Sequence, residues 1–196
     1  AVLTGLLDAA GIAPALHASA LVAIDKLDKI GRDGVVTELV ERGVSDDAAR
    51  RVLDGFSRGA ALLDQIAVGQ GPVEPPVGQG FSPDTVAAAT NLQHIIALSA
   101  STSAGAHLRF DPSLARGLSY YTGAIMEIAV ADLTGSLGGG GRYDGLIGMF
   151  SGEQVPACGF SLGLERILVV MGERGMFPAD VQKASADVLV AIFDEA

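Results

Sequence analysis

From Pro14 to Ile30 the apolar residues Leu16, Ala20, Ala23, Ile24 and Leu27 recur at three- and four-residue spacing, which predicts a helix with one buried face. Gly31 suits the end of that helix, because glycine adopts helix-closing conformations at little steric cost. A second, shorter helix is expected over Val35 to Glu41, closed by Gly43. Ser45, with Asp46 and Asp47 behind it, offers a hydroxyl cap and two acids at the positive end of a third helix, running to about Ser57. Residues 69–81 are rich in glycine and proline and read as a loop. Ser82 with Pro83 then opens a long alanine-rich helix to about Ser101, so the chain up to residue 104 reads as helical.

After Gly105 the period shortens. His107 to Phe110 is strand-like, and Tyr120 to Val130, rich in β-branched and aromatic residues, reads as a longer strand. Glycines cluster at 138–141. Ala157 to Leu162 is a further strand that runs directly into a helix from Gly163 to about Glu173. Residues 183–185 read as a linker, and DVLVAIF at 187–193 has the pattern of a buried strand. The expectation is an α+β chain, with a helical subdomain followed by sheet and helices.

Composition narrows the function classes. Of 196 residues 49% are hydrophobic and 18% charged, which suits a packed core and not a disordered chain. Aromatic residues make up 5% with no tryptophan, so aliphatic side chains carry the packing. A net charge of -10 argues against a surface coated for non-specific nucleic-acid binding, while leaving room for a local basic patch. Cys158 is the sole cysteine and can form neither an internal disulfide nor a multi-cysteine zinc site, so an intracellular chain without its own metal site is expected. No apolar run reaches bilayer length. The opening AVLTGLLDAAG lacks the basic start of a secretory signal and an initiator methionine, as if the chain begins in mid-fold.

Three segments carry chemistry: RGLSYYTG at 116–123, GGGGRYDGL at 138–146 and GFSLGLERI at 159–167. Arg116 sits in a turn beside Gly117, where a guanidinium can fork onto a phosphate or carboxylate; an ordinary salt-bridged arginine is the competing reading. Tyr120 and Tyr121, as neighbours in a strand, are expected on opposite faces, so that at most one lines a given pocket. Tyr121 would then share a face with Gly123, Ile125 and Glu127. A glycine run is more often a turn, but Gly140 and Gly141 beside Arg142 and Tyr143 set bare backbone next to a guanidinium and a phenol. The spacing fits neither a P-loop nor a Rossmann fingerprint. Arg166 falls in the first turn of its helix, where a cation is disfavoured unless an anion is near; Glu165 is the alternative partner.

Taken in this order, the segments resemble the histidyl-tRNA synthetase family. RGLSYYTG resembles its first histidine signature, usually written with aspartate where this chain has Ser119. GGGGRYDGL resembles the second, and GFSLGLERI resembles motif 3 of class II synthetases. KLDKIG at 26–31 resembles the opening of the insertion domain in the eukaryote-like branch. The resemblance runs from about Val2 to Phe193. It implies an α+β fold: part of the antiparallel class II sheet with helices, plus an all-helical insertion subdomain. The implied division is a catalytic segment at 1–13, the insertion at 14–104, catalytic core at 105–180, and a linker with the first strand of an anticodon-binding domain at 181–196.

The resemblance also implies roles. Arg116 would contact the ATP α-phosphate and stabilise charge as the histidine carboxylate attacks. Tyr121 would face the substrate imidazole and Tyr143 would line the same pocket, with Gly139, Gly140 and Gly141 forming its floor and the adenylate site; Tyr120 is counted among the histidine-binding residues. Gly163 would let adenosine lie against backbone, and Arg166 would hold the γ-phosphate or stack on adenine. At full length it implies ATP with Mg2+, histidine, tRNA(His), a homodimer and a cytoplasmic setting. Motifs 1 and 2 and most of the anticodon-binding domain are not in the sequence, so the expectation is little or no pyrophosphate exchange by the chain alone.

Other residues are weighed against plainer roles. His17, His94 and His107 show no ligand spacing; His17 and His94 are read as structural or solvent-facing. Cys158 is read as a small buried thiol. Lys26, Lys29, Arg32, Arg50, Arg51 and Arg58 are read as a solvated basic face, with tRNA acceptor-stem contact through Arg50 and Arg51 as the functional alternative. A second reading of the chain is a synthetase-like regulatory subunit of ATP phosphoribosyltransferase. Arg116, Arg166 and KLDKIG favour the synthetase over it. A plain helical interaction module would account for residues 14–104 and leave the three segments unexplained.

Overall fold

A computed structural model of the chain describes residues 1–69, 81–115, 120–131, 133, 135–181, 190 and 191. The chain divides into two compact units, Ala1–Ile125 with Gly141–Gly159, and Met126–Gly140 with Phe160–Ala196.

The first unit is mainly helical. It contains α1 (Val2–Ala9), α2 (His17–Ile24), α3 (Leu27–Glu41), α4 (Asp46–Phe56), α5 (Ala60–Ala67), α6 (Pro83–Ser99) and a short α7 (Gly148–Ser151), with 3-10 turns at Pro14–Leu16 and Gly105–His107. The pairs α5 with α6, α3 with α4, and α2 with α3 pack together, and α1 packs on both α4 and α6. Leu7, Ile24, Val35, Leu39, Leu62 and Ile66 are fully buried at their centre. Each such side chain stabilises the fold by roughly 1.5–3 kcal/mol relative to exposure. α1 belongs to this same core through Leu6 and Leu7.

Helix starts follow the expected chemistry. Ser45 Oγ accepts the Ala48 N–H at 3.2 Å with Asp46 and Asp47 in the first turn, and Ser82 Oγ accepts the Thr85 N–H at 3.2 Å ahead of Pro83. The helix expected over 14–30 is interrupted. α2 ends at Ile24, and α3 begins at Leu27 and continues to Glu41. Gly31 stops the helix as expected: with φ 69° and ψ 178° it is non-helical, and α3 consists of two helical stretches that meet at this kink. The three- and four-residue spacing ran unbroken through 14–30 because α2 and α3 face one core, through Ala23 and Ile24 on one and Val35 and Leu39 on the other.

Glu38 on α3 accepts from Lys26 Nζ at 2.7 Å and Arg42 Nη2 at 2.5 Å. The Lys26 hydrogen bond first, then that of Arg42, holds its carboxyl below the ordinary glutamate value. A lowered folded-state value means the contribution is present above the unfolded value and lost as pH falls through the folded one. Glu38→Gln is therefore expected to flatten the acid limb of a melting-temperature-against-pH curve. An unchanged limb would remove Glu38 from it.

Beyond the helices, a three-stranded sheet has the order β1 (Ile125–Ile128), β2 (Gly138–Tyr143) and β3 (Ala157–Leu162). The strands carry residues of both units. In the second unit Leu137 N–H donates to Ile128 O at 2.9 Å and Gly163 N–H to Leu137 O at 2.7 Å; in the first, Arg142 N–H donates to Ala124 O at 2.9 Å. Partner numbers rise on one strand as they fall on the other, which is antiparallel pairing. α8 (Leu164–Glu173) follows β3, as expected.

Four readings of the strand region are corrected. His107–Phe110 forms no strand: a 3-10 turn ends at His107, and Phe110 packs against the helical core, so its apolar character marks an anchor. The strand expected over Tyr120–Val130 is confined to Ile125–Ile128. Cys158, expected buried, is exposed on β3, where Phe160 and Leu162 are exposed too. The glycines at 138–141 form strand β2 and no turn. A β-carbon at Gly138 would stand 2.6 Å from Ser161 O, and one at Gly141 2.6 Å from Ala124 O, so neighbouring backbone fills the space a side chain would need. Residues 70–80 of the expected loop and the linker at 183–185 lie outside the described residues; of the strand expected over 187–193 only 190 and 191 are described.

Candidate functional site

The two units each bring some of the singled-out residues together. In the first, Tyr120, Tyr121 and Tyr143 form one aromatic cluster. The Tyr120 and Tyr121 ring centroids are 4.6 Å apart, and Tyr143 lies 6.0 Å from Tyr120, edge-on at 87°, and 6.5 Å from Tyr121. The expectation of opposite faces is thus corrected. Tyr120 sits in a turn ahead of β1, where strict strand alternation does not hold.

Glycines let the phenols approach the backbone. A β-carbon at Gly141 would meet the Tyr121 ring at 2.9 Å, and one at Gly159 would meet the Tyr143 ring at 3.1 Å. Around this cluster, Arg142 Nε donates to Asp144 Oδ1 at 2.9 Å and Oδ2 at 3.1 Å. That hydrogen bond, with the Asp144 charge, raises the Arg142 pKa above the ordinary arginine value.

In the second unit Arg166 is the third residue of α8, whose N-cap is Gly163. Its Nη1 donates to Ser136 O at 2.6 Å. The guanidinium lies over Gly135, which has φ 84°, and a β-carbon there would be 2.8 Å from Nη1. Gly139 and Gly140 lie on β2, half-buried and buried. Arg116, with Gly117 and Ser119, lies outside the described residues, and so does any distance between its guanidinium and that of Arg166.

Several basic residues of the helical block are engaged locally. Arg50 grips Asp46 through Nε at 2.8 Å and Nη2 at 3.2 Å; this raises the Arg50 pKa and lowers that of Asp46. Arg51 pairs with Asp47 and donates from Nη2 to Ala10 O at 2.9 Å. Arg32 reaches Asp54 at 2.5 Å beside a cleft of about 280 Å³ lined by Leu27, Leu53, Phe56 and Asp111 among others. His17 Nε2 is 2.9 Å from Ile12 O and 3.3 Å from Asp8, a structural placement, and His94 is exposed on α6.

Sequence reasoning passed over Gly135, Thr122 and Asp144. Asp144 had a readable signal, since it lies two residues from Arg142 and shares its face of an extended chain. Gly135 and Thr122 had none, because their partners come from distant segments.

The family model for histidyl-tRNA synthetase matches residues 1–167. The chain belongs to the histidyl-tRNA synthetase family. It is 41% identical over 202 residues to the histidine–tRNA ligase of Leifsonia xyli, covering 100% of this chain and 43% of that protein. It is 37% identical to the cytoplasmic histidine–tRNA ligase of Oryza sativa, covering 97% and 24%. The crystal structure of histidyl-tRNA synthetase from Nostoc sp. PCC 7120 superposes with a TM-score of 0.73 at 29% identity, over 90% of this chain and 41% of that one. The chain thus spans less than half the length of these synthetases. The α+β class and antiparallel sheet stand, and relatives named as ligases do not favour the regulatory-subunit reading. Among the described residues no helix is long and apolar enough to cross a membrane.

Proposed function

We propose that the chain supplies histidine- and ATP-handling residues of a histidine–tRNA ligase, which joins histidine to ATP as histidyl-adenylate and transfers it to tRNA(His). The observation that carries this is the tyrosine cluster: Tyr120, Tyr121 and Tyr143 come from two separate signatures and meet against Gly141 and Gly159. Phenols over bare backbone suit a flat, polar imidazole, which needs stacking surface and a hydrogen-bond partner.

The chemistry assigned to each group follows from charge. The histidine carboxylate attacks the α-phosphorus, pyrophosphate leaves, and negative charge on the phosphoryl oxygens grows in the transition state. Arg116 is assigned to stabilise that charge, and Arg166, at the start of α8, to hold the triphosphate or adenine. Gly163 is assigned to the adenosine side, and Gly139 and Gly140 to the floor. Magnesium is expected to arrive with ATP. No protein ligand is assigned to it and no step depends on one.

The helices of residues 14–104 are assigned as an insertion beside the catalytic core. Acceptor-stem contact through Arg50 and Arg51 would have to compete with Asp46, Asp47 and Ala10 O, and Arg50 is the more exposed of the two. A homodimer and a cytoplasmic setting belong to the same proposal.

The test is histidine-dependent exchange of labelled pyrophosphate into ATP, in a protein carrying this chain with the remaining length of its relatives. Exchange is expected with histidine and not with the other amino acids. Exchange indifferent to histidine would overturn the assignment.

A further inference from the structure

We propose that Thr122 is a positioning residue that sets the tyrosine cluster in place for histidine, an inference that rests on the assignment of that cluster above. Thr122 is held at two points. Its N–H donates to Arg142 O at 2.9 Å, and its Oγ1 accepts the Asp144 N–H at 3.0 Å. The two contacts flank Tyr143 in sequence, while Thr122 itself directly follows Tyr120 and Tyr121. One residue thereby ties the strand-end carrying two phenols to the segment carrying the third.

The residue after it lies against the same segment: a β-carbon at Gly123 would stand 2.9 Å from Arg142 Cδ, so a side chain there would have to displace that of Arg142. The Arg142–Asp144 pair closes the outer edge, holding the residue whose N–H the threonine receives. The ring separations of 4.6, 6.0 and 6.5 Å are then set by backbone fastened on both sides of Tyr143 as well as by ring packing. Thr122 acts on substrate through the tyrosines. Removing its hydroxyl leaves the Asp144 N–H to water and lets the two segments drift. Drift of that size matters for recognition, because a positioned contact loses its value when its partner moves.

Composition supplies an unusually clean readout. The chain has three tyrosines and no tryptophan. All three tyrosines are in this cluster, so the near-ultraviolet tyrosine circular dichroism reports on it directly. In the 196-residue chain, Thr122→Val keeps the branched shape and removes the acceptor. It is expected to lose most of the tyrosine band while the far-ultraviolet helical signal stays, and Thr122→Ser is expected to restore the band. An unchanged band in Thr122→Val overturns the proposal, whatever the protein catalyses. Should Thr122→Val lose its helical signal, Thr122→Ser against Thr122→Ala decides instead, since the band must follow the hydroxyl.

In the longer protein, Thr122→Val is expected to raise KM for histidine about fivefold, with KM for ATP and kcat within about twofold and recovery in Thr122→Ser. Equal rises in both KM values, or none, would overturn the positioning role. Absence of histidine-dependent exchange in the unsubstituted protein would overturn the functional assignment, and the dichroism of the same variants would still decide for or against the clamp.

Discussion

Arg166→Ala is expected to lower histidine-dependent pyrophosphate exchange by about 10²–10³-fold, the range typical of removing one preorganised charge-stabilising donor. The placement of the side chain supports a large effect. Arg166 occupies the third position of α8, in the turn whose exposed N–H groups already favour an anion. A guanidinium there is aimed by the Nη1 bond to Ser136 O at 2.6 Å and by the bare backbone of Gly135 beneath it. Lysine would keep the charge and lose the planar fork, so Arg166→Lys should recover only part of the rate. The loss should fall on ATP handling, with KM for histidine little changed. A rate within about twofold of the unsubstituted protein would remove Arg166 from the chemistry.

Gly141→Ala is the second large effect, and here stability and recognition are lost together. The added methyl would stand 2.6 Å from Ala124 O and 2.9 Å from Tyr121 Cδ1. Backbone cannot swing aside as a flexible side chain can, so the strands must separate or Tyr121 must leave. Overpacking of this kind costs about 1–3 kcal/mol, read from the shift of the urea midpoint at constant slope. The displaced ring should also raise KM for histidine. Gly145→Ala is the control, because a β-carbon there meets nothing within 4 Å. Equal midpoints for the two variants would show that the close approach at 141 carries no energy.

The helical half was legible because its signals are local. Hydroxyl caps at Ser45 and Ser82 act within four residues, and apolar spacing reports the buried face directly. The interruption before Leu27 escaped because both flanking helices present apolar residues to one core, so the spacing continues where the hydrogen-bonding does not. The glycine strand was illegible for the opposite reason. Its glycines answer to the backbone of Ser161 and Ala124 in other strands, and no property of residues 138–141 taken alone encodes that crowding. The tyrosines were placed on opposite faces by a strand rule applied five residues too early. Of the candidate site, the signatures named the tyrosines, glycines and Arg166. Of the means that hold them, Thr122 and Gly135 depend on contacts across 20 or more positions, such as the bond from Asp144 to Thr122, while Asp144 also pairs locally with Arg142. Arg51 shows the same limit: its partner is a carbonyl 41 positions away.

The outward-facing sulfur at Cys158 has a practical consequence. As the sole thiol in the chain it gives a maleimide dye a single attachment point without any engineered cysteine. That point adjoins Gly159, the residue on which the Tyr143 ring rests. If the neighbouring phenols hold histidine as proposed, a fluorophore tethered there would report its binding as a change in brightness.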